Sequence, residues 1–267
     1  TSFSSKKMSH KFGIVLPNAT IMFHVKHGAA DMAATSAQPQ QKSSVFHVKH
    51  EQQANLLLAG GREPACEWLK RVAQANALAV YCADKGVNCA LAAQLLPQLV
   101  VGDCDSSSPA FYEQAQALGA KLELHPPAKD DTDLQLLLKS LSPAPLVASG
   151  IWGGRFDHLF SNVYSLLQFK KQHNTQVLLA DEHELMVLLC SEEEVTLQLE
   201  HAEKVQALSL IPLSATAVIS LDGVRWPLAK AALKQQHPYA ISNEVIAEFI
   251  QCLCHEGDVG LYIHWNA

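Results

Sequence analysis

Hydrophobic and polar positions divide the chain into three stretches of different texture. From Ala54 onward, short apolar runs alternate with segments of helical period. Leu56-Leu57-Leu58 ends at Gly60-Gly61 and is followed by a predicted helix from Pro64 to Ala75. A second run, Leu78 to Tyr81, precedes a helix running through Leu91 to Leu96. Leu99 to Val101 reads as a strand, and Pro109 to Leu118 as a helix closed by Gly119. Lys121 to Leu124, Asp133 to Leu141 and Leu146 to Ala148 continue the alternation as strand, helix and strand. Parallel strands need crossover connections and bury both faces, so this rhythm predicts a sheet with helices on either side.

After Leu179 the period becomes two. Val195, Leu197 and Leu199 alternate with Thr196, Gln198 and Glu200, and Val259, Leu261, Ile263 and Trp265 alternate at the C-terminus. Asp222-Gly223 is a hairpin signal between Val218–Leu221 and Val224–Trp226. The expected fold is therefore an α/β domain with a doubly wound, mostly parallel sheet over residues 54–180, plus an all-β sandwich domain over 181–267. The boundary falls near Asp181.

Residues 1–53 show no sustained period and are rich in Ser, Gln, Ala, Lys and His, which predicts a disordered basic leader. Its longest apolar run, Phe12 to Leu16, is stopped by Pro17 and is too short for a signal peptide core or a membrane span. Phe-His-Val-Lys-His occurs twice, at Phe23–His27 and Phe46–His50. Phe-His-Val-Lys can be encoded as TTT-CAC-GTG-AAA, which is its own reverse complement. We hypothesise that the repeat is constrained as DNA, as a site for a dimeric DNA-binding protein; other codons at both copies in the gene would sink that idea.

Composition narrows the class. The 267 residues are 48% hydrophobic and 17% charged, as expected of an ordinary globular protein. Net charge is −6, and six lysines against one aspartate in residues 1–50 leave −11 on the remainder. An acidic body argues against bulk binding of nucleic acid or anionic membrane. Seven scattered cysteines form no CxxC pair, so reduced thiols and a cytoplasmic location are expected. Cys252 and Cys254 form a lone CxC, a minor candidate for a soft metal.

The candidate chemistry lies in where the aspartates sit. Asp84 follows the second strand, Asp103 and Asp105 follow the third, and Asp130 and Asp133 lie between the fourth strand and the next helix. Ligands of open α/β sheets bind at the carboxyl ends of the strands. Any single one of these residues reads more simply as a helix cap, with Asp131 and Asp133 the best candidates. Five on one edge would repel one another without a cation, and hard oxygen ligands suit Mg²⁺ bridged to phosphates. Gly153-Gly154-Arg155-Phe156-Asp157-His158 follows the fifth strand on the same edge. Its glycines let backbone N–H groups approach an anion, and Arg155 offers a planar fork for phosphate oxygens. Asp157 can orient that arginine or join a metal shell. No GxxxxGK[ST] occurs, which excludes a P-loop enzyme.

Together these blocks resemble the thiamine diphosphokinase family. Asp84-Lys85-Gly86-Val87-Asn88, Gly102-Asp103-Cys104-Asp105-Ser106, Lys129-Asp130-Asp131-Thr132-Asp133 and Gly153 to His158 look like its four motif blocks in order. Ser209 to Leu213, Gly223 to Leu228 and Ile241-Ser242-Asn243-Glu244 resemble its thiamine-binding part. The resemblance covers residues 54–267. Lys85 departs from it, standing where the family usually has Gly, and would be strained if the turn required positive φ.

The resemblance implies a homodimer with active sites at the subunit interface, ATP as co-substrate, and Mg²⁺ held by Asp84, Asp103, Asp105, Asp130 and Asp133. It implies that Asn88, Arg155 and Asp157 bind the nucleotide, with Arg155 on phosphate. Asp105 or Asp133 would accept the hydroxyl proton. Trp226 would face a thiamine ring, and Ser242 and Asn243 would hydrogen-bond the aminopyrimidine. On the residues alone Trp226 reads as a core aromatic. Two rival readings are a Mg²⁺-dependent phosphotransferase or nucleotide hydrolase with another acceptor, and a catalytically silent thiamine or nucleotide sensor.

Overall fold

The computed structural model describes residues 10–24, 54–103, 108–126, 128–237 and 239–266. In chain order its elements are β1 (His10–Leu16), β2 (Ala19–His24), β3 (Asn55–Leu58), α1 (Cys66–Asn76), β4 (Ala79–Ala83), α2 (Gly86–Ala92), β5 (Pro97–Gly102), α3 (Pro109–Ala117), β6 (Lys121–Leu124), α4 (Asp133–Ser140), β7 (Leu146–Ser149), α5 (Phe156–His173), β8 (Val177–Ala180), β9 (Glu184–Cys190), β10 (Glu193–Leu199), a 3₁₀ turn at Ala202–Lys204, β11 (Val205–Pro212), β12 (Thr216–Asp222), β13 (Leu228–Lys234), β14 (Phe249–Glu256) and β15 (Asp258–Trp265).

Nine strands form one sheet in the order β11-β15-β9-β8-β7-β3-β4-β5-β6. From β8 to β6 all neighbours pair in parallel, whereas β9 pairs antiparallel with both β8 and β15. The alternation of side chains sorts two cores. Leu56, Val147, Leu178, Leu185, Val187 and Leu189 face one side, packed with Leu69 and Val72 of α1, Val87 of α2 and Tyr112 of α3. Leu57, Ala148, Leu179, Met186 and Leu188 face the other, under Leu137 of α4 and Leu166 of α5. The expected α/β arrangement is present, and the boundary near Asp181 falls in the turn between β8 and β9. The sheet runs through that turn without a break.

A second, six-stranded sheet in the order β1-β2-β10-β14-β12-β13 packs on the first. Val195, Leu197, Ile219, Ile250 and Cys252 meet Leu208, Leu210, Val259, Leu261 and Ile263 in the inter-sheet core, as the period-two pattern predicted. The CxC cysteines are both buried there. Burial pushes the Cys254 thiol up to about 12, so it is no thiolate donor at neutral pH.

Three expectations need correction. The leader is not structureless over residues 10–24: β1 and β2 form a hairpin, and β2 pairs antiparallel with β10, Ile21 opposite Leu197 and Phe23 opposite Val195. Ile14, Leu16, Ala19, Ile21 and Phe23 are buried, so the hairpin covers an otherwise open apolar edge. The rest of residues 1–53, with the second Phe-His-Val-Lys-His copy, lies outside the described residues. Asp222-Gly223 is not a two-residue hairpin turn, because Leu221 pairs with Leu228 and the partner strand is β13. The helix expected through Leu96 ends at Ala92, since Gln94 turns left-handed (φ 56°) ahead of Pro97.

Candidate active site at the carboxyl edge of the parallel strands

Strand order reverses direction between β3 and β7, and the crevice at that switch point opens beyond their carboxyl ends. There a cavity of about 530 Å³ is lined by Gly60, Gly61, Asp84, Lys85, Asp103, Lys129, Asp131, Thr132, Asp133 and, from the far wall, Gly153, Gly154, Arg155, His158 and Asn162. Asp84 and Asp103 are the residues immediately after β4 and β5, and Asp133 is the first residue of α4. One carboxylate oxygen of each lies within 4.8 Å of the other two.

Local structure explains how each is aimed. Asp84 adopts a left-handed conformation (φ 49°), a strained backbone that Asp tolerates better than most residues. Lys85, where strain was anticipated, is in the ordinary helical region at φ −61°. Gly86 must be glycine for another reason: a Cβ there would lie 1.9 Å from the Leu58 carbonyl oxygen. The cap of α4 is Thr132, whose hydroxyl accepts from the Gln135 N–H while the Gln135 side chain accepts from the Thr132 N–H. The caps anticipated at Asp131 and Asp133 are therefore not used. Asp133 is left to point into the cavity, while Asp131 pairs with Lys139 at 2.6 Å.

Lys129 sits among the carboxylates, its Nζ 2.8 Å from Asp133 Oδ1 and 3.5 Å from Asp103 Oδ2. Burial lowers the pKa of this ammonium, but Asp133 and Asp103 outweigh burial and the net shift is upward. Asp133 Oδ1 is buried, with the Lys129 ammonium its near partner at 2.8 Å. Oxygen-only donors converging within 4.8 Å of one another fit a hard divalent cation such as Mg²⁺.

The far wall is a glycine–arginine loop. Gly153 and Gly154 both have φ of 69°, which side chains would resist. Arg155 is held by Asp157 through Nε to Oδ1 at 3.1 Å and Nη2 to Oδ2 at 2.5 Å. That pairing with Arg155 pulls the Asp157 carboxyl below its ordinary range, so Asp157 orients the arginine and lies outside the cavity lining. Behind the loop, Arg62 donates to Asp181 at 3.0 and 2.5 Å and also pairs with Glu184, which accepts from the Tyr262 hydroxyl at 2.6 Å. These contacts tie the Gly60-Gly61 turn to β9, and their sequence separations leave no local signal. Asn162 and Lys129 were also missed as site residues. Asn162 follows His158 by four positions on α5, a spacing that places both on one helix face.

Other anticipated residues fall elsewhere. Asp130 is exposed and outside both the trio and the cavity lining. Asp105 lies outside the described residues. Asn88 sits in α2 away from the lining, with its buried Oδ1 lacking a hydrogen bond. Trp226, Ser242 and Asn243 cluster together on the sandwich but line no part of this cavity. Trp226 is 56% exposed, not a core aromatic. Asn243 is buried, its Oδ1 accepting from Trp226 N at 3.1 Å and Glu244 N at 2.9 Å, and its Nδ2 donating to Trp226 O at 2.8 Å. Its amide thus braces the tryptophan loop, while Ser242 stands exposed in a left-handed turn (φ 58°).

A switch-point crevice with a carboxylate trio on one wall and a glycine–arginine loop on the other defines an α/β enzyme of phosphate-group transfer. Two family profiles match the chain, the thiamin pyrophosphokinase catalytic domain over residues 71–179 and the thiamin pyrophosphokinase vitamin B1 binding domain over residues 194–252. The chain belongs to the thiamin pyrophosphokinase family. It is similar to a thiamine pyrophosphokinase of Bacillus subtilis (strain 168), 29% identical over 167 residues, covering 61% of this chain and 76% of that one. It is also similar to thiamine pyrophosphokinase 1 of Oryza sativa subsp. japonica, 26% identical over 165 residues, covering 58% of this chain and 61% of the relative. A crystal structure of the Bacillus subtilis thiamine pyrophosphokinase superposes with a TM-score of 0.67 at 22% identity, over 80% of this chain and 100% of that one. Thiamin pyrophosphokinase from Candida albicans does so with 0.66 at 15%, over 85% and 97%. At these identities the structural likeness speaks for the fold.

Proposed function

We propose that this chain transfers the diphosphate of ATP to the hydroxyl of thiamine, releasing AMP and thiamine diphosphate. The observation that carries the reading is the carboxylate trio facing the glycine–arginine loop across one cavity, in a chain of this family. In the transfer an oxygen–phosphorus bond forms between the thiamine hydroxyl and the β-phosphorus. The bond from that phosphorus to the α,β-bridging oxygen breaks, and AMP leaves with the electron pair. Asp84, Asp103 and Asp133 would hold Mg²⁺, with Asp105 and Asp130 as further carboxylates of the same loops. When bound, the ion supplies charge neutralisation on the triphosphate. The N–H groups around Gly153-Gly154 and the Arg155 fork bind phosphate oxygens, with Asp157 fixing the fork and Asn88 behind the first turn. The hydroxyl proton passes to a carboxylate of the cluster, Asp133 or Asp105.

Thiamine enters this scheme from a second copy of the chain. Trp226, Ser242 and Asn243 lie outside the cavity, while Trp226, Ile241, Ile246 and Phe249 are exposed on the sandwich and Phe156 and Phe160 on α5. Apolar surface of this kind marks an interaction site. We infer a homodimer in which the partner's Trp226 lies over the thiamine ring, where a cationic ring gains about 0.5–2 kcal/mol. Arg225 Cζ lies 5.7 Å over the indole centroid, within the range of a cation–π contact. Among the described residues no helix is long and apolar enough to cross a membrane, and the six described cysteines are free, which supports a cytoplasmic enzyme.

The direct test is incubation with ATP, Mg²⁺ and thiamine, separating nucleotides and thiamine phosphates. AMP and thiamine diphosphate are expected from the wild type, with a loss of about 100-fold or more in Asp103→Asn. ADP in place of AMP would favour a phosphotransferase with another cleavage point. Saturable binding of both ligands without turnover would favour the sensor.

A further inference from the structure

We propose that Lys129 is an exchangeable ammonium, paired with Asp103 and Asp133 before substrate arrives and transferred to the ATP phosphates once the nucleotide and a divalent cation share the cavity. The proposal rests on the diphosphokinase reading and adds a coupling device to it.

The starting position is held, not incidental. The Lys129 side chain is 15% exposed, and its Nζ lies within 3.5 Å of two of the three carboxylates that converge in the cavity. A hard cation bound to those oxygens would sit about 2.0–2.1 Å from them. On Asp133 Oδ1 it would lie no more than about 5 Å from the ammonium nitrogen, close enough for the two positive charges to repel each other. Lys129 has the means to leave. Its contacts with Asp133 Oδ1 at 2.8 Å and Asp103 Oδ2 at 3.5 Å are ion pairs that a bound cation would compete for directly. Its flexible four-carbon stem starts four residues ahead of Asp133, in the loop before α4. The same cavity offers it a new anion, because Lys129 shares the lining with Gly153, Gly154 and Arg155, the wall that fits phosphate.

Two linked consequences follow. Without nucleotide the lysine competes with a divalent cation for the trio, so the cation alone binds weakly. With nucleotide the displaced ammonium gains the phosphates, so cation and nucleotide strengthen each other's binding. Removing the ammonium should tighten the first equilibrium and abolish the coupling.

The experiment is Mn²⁺ binding to the full chain, read by electron paramagnetic resonance of the free ion, with and without α,β-methylene ATP, whose reacting bond cannot break. In the wild type the analogue is expected to tighten Mn²⁺ about 10-fold or more. Lys129→Gln is expected to bind Mn²⁺ about 5-fold tighter than wild type in the absence of nucleotide, with the analogue's effect reduced to about 2-fold or less. Wild-type or weaker Mn²⁺ affinity in Lys129→Gln, with an unchanged thermal midpoint, overturns the proposal. Asp103→Asn separates the two levels: undiminished Mn²⁺ binding there would mean that the trio is not the cation site, and the functional reading would fail before the lysine is considered.

Discussion

Asn243 shows how one buried amide serves a residue that points away from it. It spends both polar atoms on the backbone of Trp226 and on the Glu244 N–H, fixing an exposed indole on a loop. Asn243→Ala is expected to raise the KM for thiamine about 10-fold, about 1.4 kcal/mol, while kcat falls less. An unchanged KM in steady-state kinetics would sink that role. At this scale Asp84 and Asp103 stood out because each follows an apolar run, and it was their gathering on one edge with Asp133, not any single residue, that pointed away from helix caps. Lys129 was not legible, because nothing local indicates that its ammonium turns back between Asp133 and Asp103, the latter 26 positions away. Arg62 was not legible either: its partners Asp181 and Glu184 are 119 and 122 positions away.

Among the elements, α5 and β10 are joined by a buried charge. Lys170, 2% exposed, places its Nζ 2.8 Å from Glu193 Oε1 and 3.1 Å from the Thr175 carbonyl. Glu193→Ala would strand that ammonium in the core at a cost of about 3–5 kcal/mol. The expected result is a lower urea midpoint at constant m, largely recovered by adding Lys170→Met; full stability in the single variant would contradict it. Between Leu56 and Ala148 the element types followed from the pattern, but α5 was not read from it, nor were two pairings. Gly223 resembles a hairpin glycine, yet its φ of 86° and the Phe249 carbonyl 2.3 Å from a hypothetical Cβ show it seating the chain against β14. Phe12, Ile14 and Leu16 do alternate, but the polar Ser- and Gln-rich stretch around them hid a hairpin that pairs with β10. Asn76 then fastens it, accepting from Val15 N and donating to Val15 O, both at 2.8 Å.

On the scale of the whole molecule, the proposed dimer predicts complementation. Asp103→Asn and Trp226→Ala should each be nearly inactive alone. Mixed under exchange conditions, half the dimers are mixed and each has one intact site, so about a quarter of wild-type activity should return. No recovery, with mixed dimers verified by mass, would place thiamine within one subunit. The two family profiles fall on either side of Asp181, as the change of period also suggested, yet neither conveys that β9, β15 and β11 finish the sheet that β3 begins. This bears on how such chains can be recombined. A cut at Asp181 would open an edge on β8 and remove Arg62's partners, so the thiamine-binding half is not a transplantable cassette. Chimaeras between relatives should succeed where the exchanged block keeps β9, β15 and β11 matched to β8, and the heritable unit of this fold is the sheet, not the profile.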